Sequence, residues 1–121
     1  MFNDAFSIIS TPDLRRALGF YRDLLDGQAE YQFPPEGDPG YVGLRIGGAH
    51  LGIAHVPDAG TDDGGQRFAL WVYADSCDAA VKRLRAGGAT VTEEPADQPW
   101  GERVGRVLDP DGNEVIVGER T

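Results

Sequence analysis

The residues of this chain whose types can do chemistry are two histidines, one cysteine and a surplus of carboxylates. His50, His55 and Glu114 each carry a lone pair that can bind a divalent cation, and three such donors on one surface would make a metal centre. His50 and Glu114 stand just after two glycine turns, Gly47-Gly48 and Gly112-Asn113. Period-two alternation places His55 on the opposite strand face from His50, so the three do not converge. The plain expectation is two partly exposed histidines and one solvated carboxylate. Cys77 lies at a helix start, where the dipole can lower a thiol pKa, but a small buried hydrophobe is the expected role. The chain has no glycine-rich phosphate loop between strand and helix and no nucleophile-elbow serine, so no catalytic residue is assigned.

Aromatic side chains offer a different chemistry, that of stacking. Trp100 sits between Pro99 and Gly101 in a turn-like stretch, and Phe33 and Tyr41 flank a loop, Pro34 to Gly40, that can fold over a bound molecule. Glu30, Glu36, Asp38, Glu93, Glu94, Asp97 and Glu102 cluster in sequence near these rings. With 20 acidic against 11 basic side chains, the net charge of -9 favours a cationic guest and repels phosphate backbones and anionic membranes. The expected partner is therefore an aromatic or cationic small molecule, with no nucleic acid and no membrane.

The elements that must position these residues fall into two similar series. Ala5 to Ser10 reads as a strand, and Thr11-Pro12-Asp13 as a helix start with Thr11 as cap. Leu14, Ala17, Leu18, Tyr21, Leu24 and Leu25 recur at helical spacing up to a stop at Gly27. Strands follow at 29–33, 41–46 and 50–56. After a polar linker the order repeats, with a strand over 68–74, a helix opened by Asp75-Ser76 with Cys77, Ala80, Val81 and Leu84 inward, and strands at 89–93, 103–108 and 114–118. Phe6 pairs with Phe68 and Asp13 with Asp75 in the repeat. The fold class is α+β: tandem βαβββ modules, 5–56 and 67–119 joined by a linker over 57–66, forming curved mixed sheets with helices on the outer face. The chain of 121 residues has room for one such domain. A single cysteine, no signal peptide and no long apolar run point to the cytoplasm.

This pattern, carried by TPDLRRALGFYRDLLDG in the first half and QPWGERVGRVLDPDGN in the second, resembles the vicinal oxygen chelate superfamily of glyoxalases, bleomycin-resistance proteins and dioxygenases. The second segment is most similar to the antibiotic-binding branch. The resemblance implies a homodimer with U-shaped clefts and places metal ligands on the first and last strands of each module. Those positions carry Phe6, Gly52, Phe68 and Ile116, none of which can donate an electron pair. The resemblance therefore implies a metal-free cleft without cofactor, lined by Phe6, Phe68, Gly52 and Ile116, with Trp100, Phe33, Tyr41 and Trp71 as stacking surfaces and His50 and Glu114 at its edges. Trp71 stands apart, because strict alternation from Phe68 points it at the helix unless a bulge intervenes. The expected function is sequestration of an antibiotic or other secondary metabolite. The alternative is a divalent-metal-dependent lyase, isomerase or dioxygenase working at His50, Glu114 or neighbouring groups.

Overall fold

The computed structural model describes residues 1, 3, 5–59 and 69–120. The chain divides into two compact units, Met1–Asp63 and Gly64–Thr121. The first holds β1 (Ser7–Thr11), α1 (Leu14–Leu18), β2 (Gln28–Phe33), β3 (Tyr41–Ile46) and β4 (Ala49–His55). The second holds β5 (Leu70–Tyr73), α2 (Cys77–Ala86), β6 (Thr90–Asp97), β7 (Arg103–Leu108) and β8 (Glu114–Glu119). Each unit is a four-stranded sheet of the same topology, β1-β4-β3-β2 and β5-β8-β7-β6, in which the first strand runs parallel to the last and the other pairs are antiparallel. The fold is α+β, a repeated βαβββ module. No helix among the described residues is long and apolar enough to cross a membrane.

Each helix buries its apolar stripe on one face of its own sheet. In the first unit Leu14, Ala17, Leu18, Phe20 and Tyr21 are buried, as are Val42, Leu44, Leu51 and Ile53 on β3 and β4. In the second, Cys77, Val81 and Leu84 are buried, as are Val107, Val115 and Val117. Because strand neighbours in register share a face, the residues between these in sequence form the opposite, helix-free face.

Several local expectations are corrected. The cap of α1 is Asp13, whose carboxylate accepts from the Arg16 N–H at 3.1 Å. Thr11 is wholly buried and its hydroxyl bonds Asp13 backbone instead. The helix does not stay α-helical, since Gly19–Leu24 forms a π-helical turn, and Asp26, at φ 59°, turns the chain into Gly27. Gly27 is required there by close approach, because a Cβ would lie 2.6 Å from the Tyr21 carbonyl oxygen. The cap of α2 is Ser76, accepting from the Ala79 N–H at 3.2 Å. Strand β6 runs past Pro95 to Asp97 with register shifts between Val91 and Glu93 and between Glu93 and Ala96. As an edge strand it need not supply an N–H at Pro95.

The caps also correct the internal match. Asp13 corresponds to Ser76, not Asp75, and Ser7, beside Leu51, corresponds to Leu70, beside Val115. The repeat is thus displaced by one residue in its first strand and helix start. Ile8, not Phe6 shifted by alternation, is the counterpart of Trp71. A one-residue slip reverses every side chain of a strand, and Trp71, expected toward the helix, lies on the helix-free face beside Ile116. Phe68 lies outside the described residues.

Candidate functional site

The helix-free face of the first sheet carries the site. On β4, His50 and Gly52 point to it, and their partners on β3 are Arg45 and Gly43. Beside Gly52 on the other side stands Ile8 of β1. On β2, Tyr31 pairs with Gly43 and Phe33 with Tyr41. A register shift between Ala29 and Tyr31 inserts Glu30 as an extra residue, which is how both Glu30 and Tyr31 come to the same hollow. That hollow, about 390 Å³, is lined by Phe6, Glu30, Tyr31, Tyr41, Gly43 and His50, together with Ala5, Leu44 and Leu51.

Two glycines give it depth. Gly52 is covered by the Tyr41 ring, which crosses from the neighbouring strand so closely that a Cβ at Gly52 would lie 2.8 Å from the ring carbon Cζ. Gly43 has room for Tyr31 in the same way, with a Cβ there 3.3 Å from Tyr31 Cβ. The Tyr31 and Tyr41 rings meet edge to face, with centroids 6.0 Å apart. Phe6 and Tyr31 are 59% and 56% exposed, a large apolar area left facing solvent. At the polar side His50 Nδ1 bonds the Glu30 carboxylate, and the other Glu30 oxygen lies 3.8 Å from Arg45 Nε. Arg45 is also tied to Gln28 at 2.7 Å.

The helix-free face of the second sheet carries Trp71, Tyr73, Ile116, Gly118, Arg106 and Glu114. The Trp71 indole covers Gly118 much as Tyr41 covers Gly52, and the Arg120 guanidinium stacks 4.0 Å from the centre of the Tyr73 ring. Glu114 is bound to Arg106 at 2.9 Å, and Arg106 also holds Glu93 at 3.1 Å. The bond to Glu114, opposed by partial burial and helped by both carboxylate charges, keeps the guanidinium above its ordinary range. Trp100 is exposed in the connection between β6 and β7, and its indole N–H is donated to Glu102 at 2.7 Å.

Phe6, Tyr41 and His50 are therefore brought together around one hollow, and Gly52 lies under the Tyr41 ring beside it. Phe33 shares their face at the Tyr41 end and is not part of the lining. Trp71, Ile116 and Glu114 share a face of the second sheet. Tyr31 and Tyr73 were not singled out from the sequence. The spacing of Tyr31 from Phe33 was available as a signal, since two residues apart on a strand means one face.

Cys77 is buried, its thiol directed at the Val117 carbonyl oxygen at 3.4 Å. Burial, reinforced by the Asp78 charge, raises its pKa above the ordinary thiol range, the opposite of a nucleophile's environment.

The family profile of the Glyoxalase/Bleomycin resistance protein/Dioxygenase superfamily matches residues 5–117. The chain belongs to this superfamily. An uncharacterised protein of Mycobacterium bovis is 30% identical over 116 residues, spanning 88% of this chain and 76% of that protein. Among solved structures of this fold, TioX from Micromonospora sp. ML1 is similar with a TM-score of 0.77 at 19% identity, over 98% of this chain and 97% of that one. A lactoylglutathione lyase from Agrobacterium tumefaciens is similar with a TM-score of 0.72 at 23% identity, over 98% and 95%. At these identities the structural likeness shows the fold, and the chemistry of a superfamily member has to be read from its own side chains.

The positions that the superfamily resemblance assigns to a divalent ion do not fit one. Phe6 offers a phenyl ring, Gly52 a hydrogen covered by Tyr41, and Ile116 a buried hydrocarbon. Nearby, His50 spends Nδ1 on Glu30, and Glu114 is engaged by Arg106. Among the described residues no group of three or more His, Cys, Asp or Glu side chains is placed to hold a metal.

Proposed function

We propose that this protein captures an aromatic or cationic small molecule, such as an antibiotic or other secondary metabolite, without a metal and without turning it over. The observation that carries this reading is the hollow of the first sheet, in which Phe6, at a position that the resemblance assigns to a metal ligand, joins Tyr31 and Tyr41 in an aromatic lining. Aromatic walls with a few polar groups are what a small-molecule site requires, and at about 390 Å³ the hollow falls at the small end of the usual range of roughly 300–1,000 Å³. The net charge of -9 supports attraction of a cationic guest. In this reading the chain works as a cytoplasmic homodimer, with Trp100, Phe33 and Trp71 as further stacking surfaces.

Native mass spectrometry of the protein purified without chelator from its own cells tests the reading. The expected spectrum shows two subunits and a retained organic molecule with no metal. A stoichiometric transition metal, whose removal abolishes a measurable turnover, would overturn it in favour of a metal-dependent lyase, isomerase or dioxygenase.

A further inference from the structure

Resting on the capture reading, we infer that the hollow of the first sheet recognises a planar aromatic molecule through a hydroxyl group on its ring, by way of His50 and Tyr41, and not through a positive charge. The polar groups decide this. Among the described residues Glu30 is the sole carboxylate lining the hollow, and it is already bonded by His50 on one oxygen and faced by Arg45 on the other. The charges presented there by the described residues of β2, β3 and β4 are thus one carboxylate against one guanidinium, with no excess negative charge to grip a cation. An ionised Glu30 can only accept, so the imidazole places its proton on Nδ1 when neutral. Nε2 is then a lone-pair acceptor, and it has no hydrogen-bond partner among the described residues. The Tyr41 hydroxyl, held over Gly52, is likewise without one, and it can donate or accept.

A ring lying against Phe6 and Tyr31 would bring a phenolic O–H to His50 Nε2, while Tyr41 supplies a second polar contact to the same ring system. Without the hydroxyl, these polar atoms would lose water and gain nothing, which is how a site rejects an analogue lacking one group. Gly52 is the residue that makes this arrangement available, because any side chain there would displace the Tyr41 ring.

Isothermal titration with three probes of one ring size tests this: 2-naphthol, 2-methoxynaphthalene and 2-naphthylmethylammonium. The expected result is that 2-naphthol binds about tenfold tighter than the other two, the difference of one hydrogen bond to a fixed partner. His50→Phe and Tyr41→Phe should each shrink that preference to less than about threefold, with unchanged circular dichroism. Equal affinity for naphthol and its methyl ether, a preference that survives both substitutions, or tightest binding of the ammonium probe would each overturn hydroxyl recognition while leaving capture standing. Failure of all three probes to bind would remove both.

Discussion

Gly52 shows how much one missing side chain can decide. A hydrogen at that position admits the Tyr41 ring across the strand, and the phenol then occupies the space that a side chain at residue 52 would need. Gly52→Ala should therefore leave the sheet intact, turn Tyr41 outward and weaken 2-naphthol binding by about tenfold, the cost of one lost polar contact. Unchanged affinity would show that Tyr41 takes no part. Asp109 makes the complementary case, that of a buried carboxylate used for structure. Its oxygens accept from the Asp111 N–H at 2.9 Å, the Asn113 N–H at 2.8 Å and the Asn113 side-chain amide at 2.9 Å, closing the turn before β8. Asp109→Ala strands these donors and should cost about 1–3 kcal/mol in urea unfolding, whereas Trp100→Ala, at a side chain 60% exposed, should change stability by less than about 0.5 kcal/mol. If Trp100 is a stacking surface for the guest, the same substitution weakens ligand binding by about 1–3 kcal/mol, and titration of both variants separates the two effects.

At the scale of elements, hairpins and strands were legible because glycine turns and alternating apolar residues are local signals. Strand β7 was expected at 103–108 and is found there. What local signals do not carry is register. Matching Asp13 to Asp75 was reasonable by residue type, yet the caps are Asp13 and Ser76, and that single step moved Trp71 to the wrong face. Glu30 and Tyr31 join the hollow through a bulge that no alternation rule announces, whereas the places of Tyr41, Gly52 and His50 follow from regular pairing. Helix α2 carries its own test. Its first N–H groups are met by Ser76 and by the Glu119 carboxylate, which accepts from the Cys77 N–H at 2.7 Å, so the Cys77 thiol lies buried among satisfied groups. Its raised pKa stabilises the fold fully below the ordinary thiol value, about 8.5, and that contribution is lost as pH rises through the folded value. Thermal melts of wild type and Cys77→Ala should accordingly converge between pH 7 and pH 10, and a gap that stays constant would show that the thiol does not ionise on unfolding.

For the whole molecule, the superfamily fold leaves open two kinds of chemistry, and they differ in what should stabilise the native state. A metal centre ties together donors from separate strands, so removing its ion lowers the melting temperature of such a protein. Here the positions in question hold a phenyl ring, a glycine under a phenol and a buried isoleucine, and the neighbouring histidine and glutamate are occupied by Glu30 and Arg106. Exhaustive dialysis against a chelator should therefore leave the melting temperature where it was. An aromatic guest bound only by the native state acts in the other direction: at a concentration of about 100 times its Kd it adds about 2.7 kcal/mol. For a domain of this length that corresponds to roughly 8–16 °C. The shift produced by 2-naphthol should also be nearly independent of salt, because the carboxylate in the hollow is balanced by Arg45 and the long-range field of the acidic surface does not act on a neutral ring. A chelator-sensitive melt together with no shift from any aromatic probe would mean that the hollow is filled by something other than a ring.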